Sequence, residues 1–99
     1  MLDYEFSERA IRDITSNRDW YDKRQRDLGN RFFDDVLMTI RFAREHPYAC
    51  PETSPAIRAT RCRRFPYQVY FEIQLNGIFI LAVYHTARDP TRWNDPLRP

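Results

Sequence analysis

Glycine is the scarcest structural resource of this chain, with two among 99 residues. That scarcity excludes a glycine-rich loop that would cradle phosphates and a nucleophile elbow, both of which need several glycines close together. Cysteine is equally sparse. Cys50 and Cys62 have no CxxC spacing, so free thiols are expected rather than a disulfide or a metal site with His46 or His85. No apolar run approaches the length of a membrane span, and Met1 to Phe6 is too short for a signal peptide and runs directly into charges. These absences predict a cytoplasmic protein without cofactor or membrane contact. There are no internal repeats and no low-complexity segment, and residues 1–99 are read as one domain that buries roughly 60–70 % of the surface of its unfolded chain.

What is present is organised around a hairpin. In Arg61–Trp93 the dipeptide Asn76-Gly77 supplies the positive-φ residues of a tight two-residue turn. With those two as the loop, Leu75 pairs with Ile78, Ile73 with Ile80, Phe71 with Ala82, Val69 with Tyr84 and Gln68 with His85. Side chains alternate between faces. One face then carries Tyr67, Val69, Phe71, Ile73 and Leu75 beside Ile78, Ile80, Ala82 and Tyr84, and is the expected core face. The other sets Gln68, Tyr70, Glu72 and Gln74 beside Phe79, Leu81, Val83 and His85, a mixed surface expected to contact a partner at its His85 end.

Upstream, Leu2–Phe6 alternates as an opening strand, and Ser7 is placed to N-cap a first helix on which Ala10, Ile11, Ile14 and Tyr21 form the inner stripe. A turn within Arg24–Asp27 leads to a second helix with Leu28, Phe32, Val36, Ile40 and Ala43 inward, Gly29 weakening its first turn and His46-Pro47 ending it. Pro47, Pro51 and Pro55 mark a loop. Ile57–Arg64 alternates as a strand, Pro66 interrupts before the hairpin, and Asp89-Pro90 signals a helical turn that docks Trp93. The expected fold is α+β, a helical hairpin on a small antiparallel sheet in the order β-α-α-β-β-β with a short C-terminal helical turn.

The net charge is only +2, yet residues 57–99 hold seven basic and three acidic side chains against nine and eleven in residues 1–56. The field is concentrated around the sheet, which suits an anionic partner, either nucleic acid or an acidic protein segment. Arg58, Arg61, Arg63, Arg64 and Arg88 can clamp phosphates or carboxylates; Arg58 reads as a solvated strand residue, and Arg61 or Arg64 as a contact. His85 can move a proton in phosphodiester cleavage or can simply hydrogen-bond a neighbour. Glu72 is the only acid on its face. Of Phe65, Tyr67, Tyr70, Phe71 and Tyr84 most read as core, Tyr70 alone of these lying on the mixed face, and no helix concentrates the basic residues that direct DNA reading needs.

The run RRFPYQVYFEI, the turn after it and the ending ILAVYHTARDPTRW resemble the RelE/ParE superfamily of toxins from bacterial type II toxin–antitoxin, or plasmid stabilisation, systems. Ala10, Asp13-Ile14, Trp20-Tyr21, Phe32 and His46-Pro47 extend the likeness along the chain. It implies the same helical hairpin and sheet. It further implies a toxin neutralised by a cognate antitoxin, which takes on operator binding, in a homodimer or a hetero-oligomer with that antitoxin. RelE-like members cut mRNA in the ribosome, whereas ParE-like members poison DNA gyrase. The strand position where the nucleases carry an arginine holds Tyr67 or Gln68 here, and their catalytic tyrosine is replaced by Trp93, so the resemblance is closer to the ParE side. It implies a non-enzymatic gyrase inhibitor, with an endoribonuclease using Arg64, His85 and Arg88 as the alternative. The expected target- or antitoxin-binding residues are Arg61, Arg64, Gln68, Tyr70, His85, Arg88 and Trp93.

Overall fold

The computed structural model describes residues 3–87. Strand β1 (Asp3–Phe6) leads into helices α1 (Glu8–Arg24) and α2 (Leu28–Glu45). Strands β2 (Glu52–Ser54), β3 (Ile57–Arg61), β4 (Tyr67–Gln74) and β5 (Gly77–His85) follow. The sheet order is β1-β5-β4-β3-β2. The expected α+β arrangement is found, with one difference in the sheet: β1 adds to β5 in parallel, so the sheet is mixed. Another difference lies in the proline-rich loop, which contains a 3-10 turn at Pro47–Ala49 and the short β2. Prolines 51 and 55 bracket β2 and confine it to the sheet edge. The expected turn at Asp89-Pro90 and the docking of Trp93 lie outside the described residues.

Each helix starts where local chemistry allows it. The Ser7 hydroxyl accepts the Ala10 N–H at 2.9 Å, as expected of an N-cap, and also donates to the carbonyl of Leu81 at 2.9 Å. One side chain therefore caps α1 and ties it to β5. At α2 the cap residue Asp27 is left-handed (φ 69°) and makes no capping bond of its own; the Asp22 carboxylate of α1 accepts the Gly29 N–H at 2.8 Å instead. A Cβ on Gly29 would stand 2.5 Å from both the Arg18 carbonyl oxygen and that carboxylate. The residue that weakens the helix by propensity is the one that lets the two helices approach.

Ala10 and Ile14 of α1 and Phe32, Val36, Ile40 and Ala43 of α2 are buried as their spacing predicts, but Ile11 is 51 % exposed. The inner stripe of α1 is therefore narrow, Ala10 and Ile14 being its buried residues. Tyr21, Phe32, Phe65 and Tyr67 form an aromatic cluster with ring centroids 4.8–6.4 Å apart, the range of favourable edge and offset contacts.

The hairpin differs from expectation in a way that decides what faces where. The loop residues are Leu75 and Asn76, and Gly77 opens β5 opposite Gln74. A loop moved by one position moves every cross-strand partner by two, so Phe71 pairs with Ile80 rather than Ala82 and the faces are preserved. Gly77 is drawn out of the turn by β1: it pairs with Asp3 at φ 157°, and a Cβ there would collide with the Asp3 carbonyl oxygen.

Leu81 then interrupts the ladder. Phe71 is opposite Ile80 while Tyr70 is opposite Ala82, leaving Leu81 as an extra residue in a β-bulge. One extra residue inverts the alternation beyond it. Val83 joins the core beneath the helices, and Ala82 and Tyr84, expected in that core, pack with Ile57, Ala59, Tyr70 and Leu81 on the opposite face. His85 is turned by the same step. It lies opposite Tyr67 rather than Gln68, their rings 5.0 Å apart.

The bulge is held from α1. The Val83 N–H donates to the Asp13 carboxylate at 3.0 Å, beside the bond from Ser7 to Leu81. Burial pushes the Asp13 carboxyl above its usual 3.8, against the opposing pull of the Val83 N–H, Arg9 and Arg12. A raised folded-state pKa means that the native state binds the proton more tightly. The contribution of Asp13 to stability is then fully present below pH 3.8 and declines as pH rises through the folded-state value. Asp13→Asn keeps an acceptor for Val83 and is expected to remove that decline in urea titrations followed across pH. Gly77→Ala is expected to lose about 1–3 kcal/mol in the same measurement, because a side chain there is both strained and in collision.

Candidate functional site

The segment between β3 and β4 projects the arginines picked out in the sequence. Its backbone is fixed by Asp35 of α2, a carboxylate only 8 % exposed that accepts the N–H of Arg64 at 2.9 Å and of Phe65 at 2.8 Å. Beside it the Thr39 hydroxyl donates to the Asp35 carbonyl at 2.8 Å. Phe65 enters the aromatic cluster, and Arg61, Arg63 and Arg64 point outward and are exposed. A backbone fixed in this way, with three exposed guanidinium groups on it, is an arrangement that can hold anions.

Along the same side runs a groove of about 580 Å³ between α2 and this turn, lined by Asp35, Met38, Thr39, Phe42, Arg61 and Arg64 among others. Met38 and Phe42 are 61 % and 46 % exposed and stand one helical turn apart. Neither belongs to the core-facing stripe of α2. An apolar pair at i, i+4 outside that stripe, together with the acidic Asp35 inside it, was the signal by which this groove could have been found from the sequence.

The expected contact residues are divided by the sheet. Arg61 and Arg64 border the groove. Gln68 is half-buried and opposite Tyr84, and Tyr70 is fully buried on the other face rather than exposed on a mixed surface. The Tyr70 hydroxyl has no hydrogen-bond partner among the described residues, and burial raises its pKa strongly. His85 is half-buried at the groove end of the sheet, joined to the arginine turn through Thr86, whose N–H donates to the Pro66 carbonyl at 2.8 Å. Its Nδ1 accepts the N–H of Ala87 at 3.1 Å, which places the proton of the neutral ring on Nε2. Arg58 is not a free strand residue: it donates to the Cys50 carbonyl at 2.6 Å, lies 4.0 Å from Glu52 and stacks over Tyr48. Arg88 and Trp93 lie outside the described residues.

Both cysteines are free and buried. Burial pushes the Cys62 thiol up to about 11 and raises that of Cys50, so neither is a thiolate nucleophile at neutral pH. Among the described residues no three His, Cys, Asp or Glu gather to hold a metal ion, and no helix is long and apolar enough to cross a membrane. Asp35→Ala, which strands two backbone N–H groups, is expected to cost about 1–3 kcal/mol in urea unfolding, with Asp35→Asn recovering part of it.

Comparison with known proteins agrees with this geometry. The family model of the ParE toxin of type II toxin-antitoxin system, parDE, matches residues 4–90 and so takes in α1, the Asp35 turn and the whole hairpin. No curated protein matches the chain in sequence. A solved chain of a chromosomal ParDE TA system from P. aeruginosa superposes with a TM-score of 0.73 at 17 % identity, over 86 % of this chain and 96 % of that one, a likeness of fold. The chain belongs to the ParE toxin family of type II toxin–antitoxin systems.

Proposed function

We propose that this chain is the toxin of such a module, that it acts by inhibiting DNA gyrase rather than by cutting RNA, and that a cognate antitoxin protein neutralises it in the cytoplasm. The observation that carries the reading is the state of His85. A general acid or base for phosphodiester cleavage has to reach a substrate proton. Here the imidazole is turned by the Leu81 bulge onto Tyr67, and its Nδ1 is engaged by the backbone of Ala87. The phenol of Tyr67 in turn donates to Asn17 of α1 at 2.8 Å. The Tyr67 hydroxyl thus holds the end of the sheet to α1, and the Nδ1 of His85 is used by the backbone just after β5.

Arg61 and Arg64 then act in binding, as exposed cations on a fixed turn. Arg88 and Trp93 extend the proposed target- or antitoxin-contacting set, and Gln68 and Tyr70 support it from within the sheet. In its neutralised state the toxin is paired with antitoxin in a hetero-oligomer.

Induction of this chain alone in bacteria, with labelled thymidine and labelled methionine supplied in pulses, separates the two modes of action. Thymidine incorporation is expected to fall first while methionine incorporation persists, and His85→Ala is expected to retain that effect. An early fall in methionine incorporation, abolished by His85→Ala in a folded protein, would replace this reading with ribonuclease action through Arg64, His85 and Arg88.

A further inference from the structure

We propose that the face of the sheet turned away from both helices is closed by residues 88–99 of this chain, with Trp93 as the side chain that anchors them. Within the contact set given above, Trp93 then holds Arg88 in place; the surface itself is independent of which target the chain acts on.

A sheet face built of large apolar side chains needs a second layer against it. Ile57, Ala59, Tyr70, Leu81, Ala82 and Tyr84 form such a face, with Phe79 packed beside them. Tyr70 and Ala82 are fully buried, and Tyr84, the most open of the six, is 9 % exposed. The buried apolar residues of α1 and α2 belong to the opposite core, where they meet Val69 and Phe71. All five strands lie in one sheet, with β1 and β2 at its edges. Among the described residues, then, no helix and no strand covers the second face, yet water is excluded from it.

The burial is that of the single chain, so neither a second copy nor another protein supplies the missing layer. Two stretches of the chain remain. Residues 1–2 precede Asp3, which pairs with Gly77 at the hairpin end, and they are too few to span a face. Residues 88–99 begin at the other end, where the Thr86 N–H donates to the Pro66 carbonyl at 2.8 Å and holds the exit of β5 beside the start of β4. Ala82, opposite Tyr70, lies only about 10 Å back from His85 at 3.3 Å per residue. The segment reaches up to about 40 Å when extended, enough to turn and cross the face.

Its composition, RDPTRWNDPLRP, selects what holds it. Pro90, Pro96 and Pro99 lack the N–H groups that a strand ladder or a long helix needs, so side chains have to secure the segment. Trp93 and Leu97 are its large apolar side chains, and an indole brings up to about 250 Å² of surface to a contact. Both lie past residue 90, where the match to the family model ends. Tyr70 marks the place that needs them. Its hydroxyl is buried with no hydrogen-bond partner among the described residues, the state of a phenol shut under an apolar group instead of water.

Nuclear magnetic resonance on the whole purified chain tests the contact directly. Nuclear Overhauser effects are expected from the Trp93 indole to the Tyr70 ring and to the methyl groups of Ala59 and Ala82. Those methyl resonances are expected to lie upfield, shifted by the ring current, and to return toward ordinary positions in Trp93→Ala. With Trp20→Phe leaving Trp93 as the only tryptophan, acrylamide is expected to quench its emission several-fold less in the native chain than in urea. Trp93→Ala is also expected to lower the urea midpoint and to raise binding of the apolar dye anilinonaphthalene sulfonate several-fold as the face opens.

Overhauser effects from Trp93 to α1 or α2 in place of the sheet would overturn the proposal. So would an indole quenched equally in the native and unfolded chain, or Ala59 and Ala82 resonances that Trp93→Ala leaves unmoved. Effects seen only between differently labelled copies in a mixed sample would assign the face to the segment of a second copy and overturn it as well. If Trp93→Ala fails to fold, the Overhauser and quenching measurements, made with Trp93 in place, still decide. Thymidine incorporation enters none of these readouts, so loss of the functional reading leaves them unchanged.

Discussion

Strand β5 has to be satisfied along one edge by two different elements. Up to Ile80 its neighbour is β1, and the Ser7 N–H closes that ladder on the Ile80 carbonyl at 2.9 Å. Beyond that point the chain has turned into α1, so no strand continues the pairing. Leu81 and Val83 would be left with unmet polar groups, which are costly where water is excluded. The Ser7 hydroxyl and the Asp13 carboxylate take them. The bulge, the burial of Asp13, the face on which Val83 sits and the orientation of His85 all follow from this change of partner.

A second buried carboxylate does comparable work at the other helix. Asp35 sits on the apolar side of α2, where an isolated charge would be expensive, and the two N–H groups of the β3–β4 turn compensate it. Both helices therefore reach the sheet with an acid that ends on backbone amides. In each case a helix controls an irregular place in the sheet, and in the second case that place carries the exposed arginines. Fold and functional surface are linked by one kind of bond.

Much of the architecture was legible without coordinates. The cap at Ser7, the stripe of α2, the proline stop after His46 and the pairing of the last two strands as a hairpin are local matters of spacing and backbone preference, and they are found as read, although the turn and register of that hairpin are not. The candidate site was legible only in part. Arg61 and Arg64 were recognisable because charge clusters are visible in one dimension. Met38 and Phe42 were passed over because an apolar residue on an amphipathic helix reads as core until the position of the sheet beneath it is known. His85 and Tyr70 were assigned to a shared mixed face because strict alternation was assumed from the turn to the strand end.

The sequence by itself determined the two helices, the opening strand and the last three strands, their order, the family and the basic character of the region around the sheet, since each of these depends on residues a few positions apart or on a pattern along the chain. Tertiary structure alone decided the turn at Leu75-Asn76, through the close approach of Asp3 to Gly77, and the bulge at Leu81, through Ser7 and Asp13. It also decided that Gly29 is a contact rather than a weakness. These outcomes are set by pairs 7 to 74 residues apart, and cross-strand partners at such separation impose geometry that no local window contains. Because side-chain direction in a strand has a period of two, one residue inserted by a distant hydrogen bond was enough to exchange the faces of β5 and to move His85 from the expected contact surface to the packed end of the sheet.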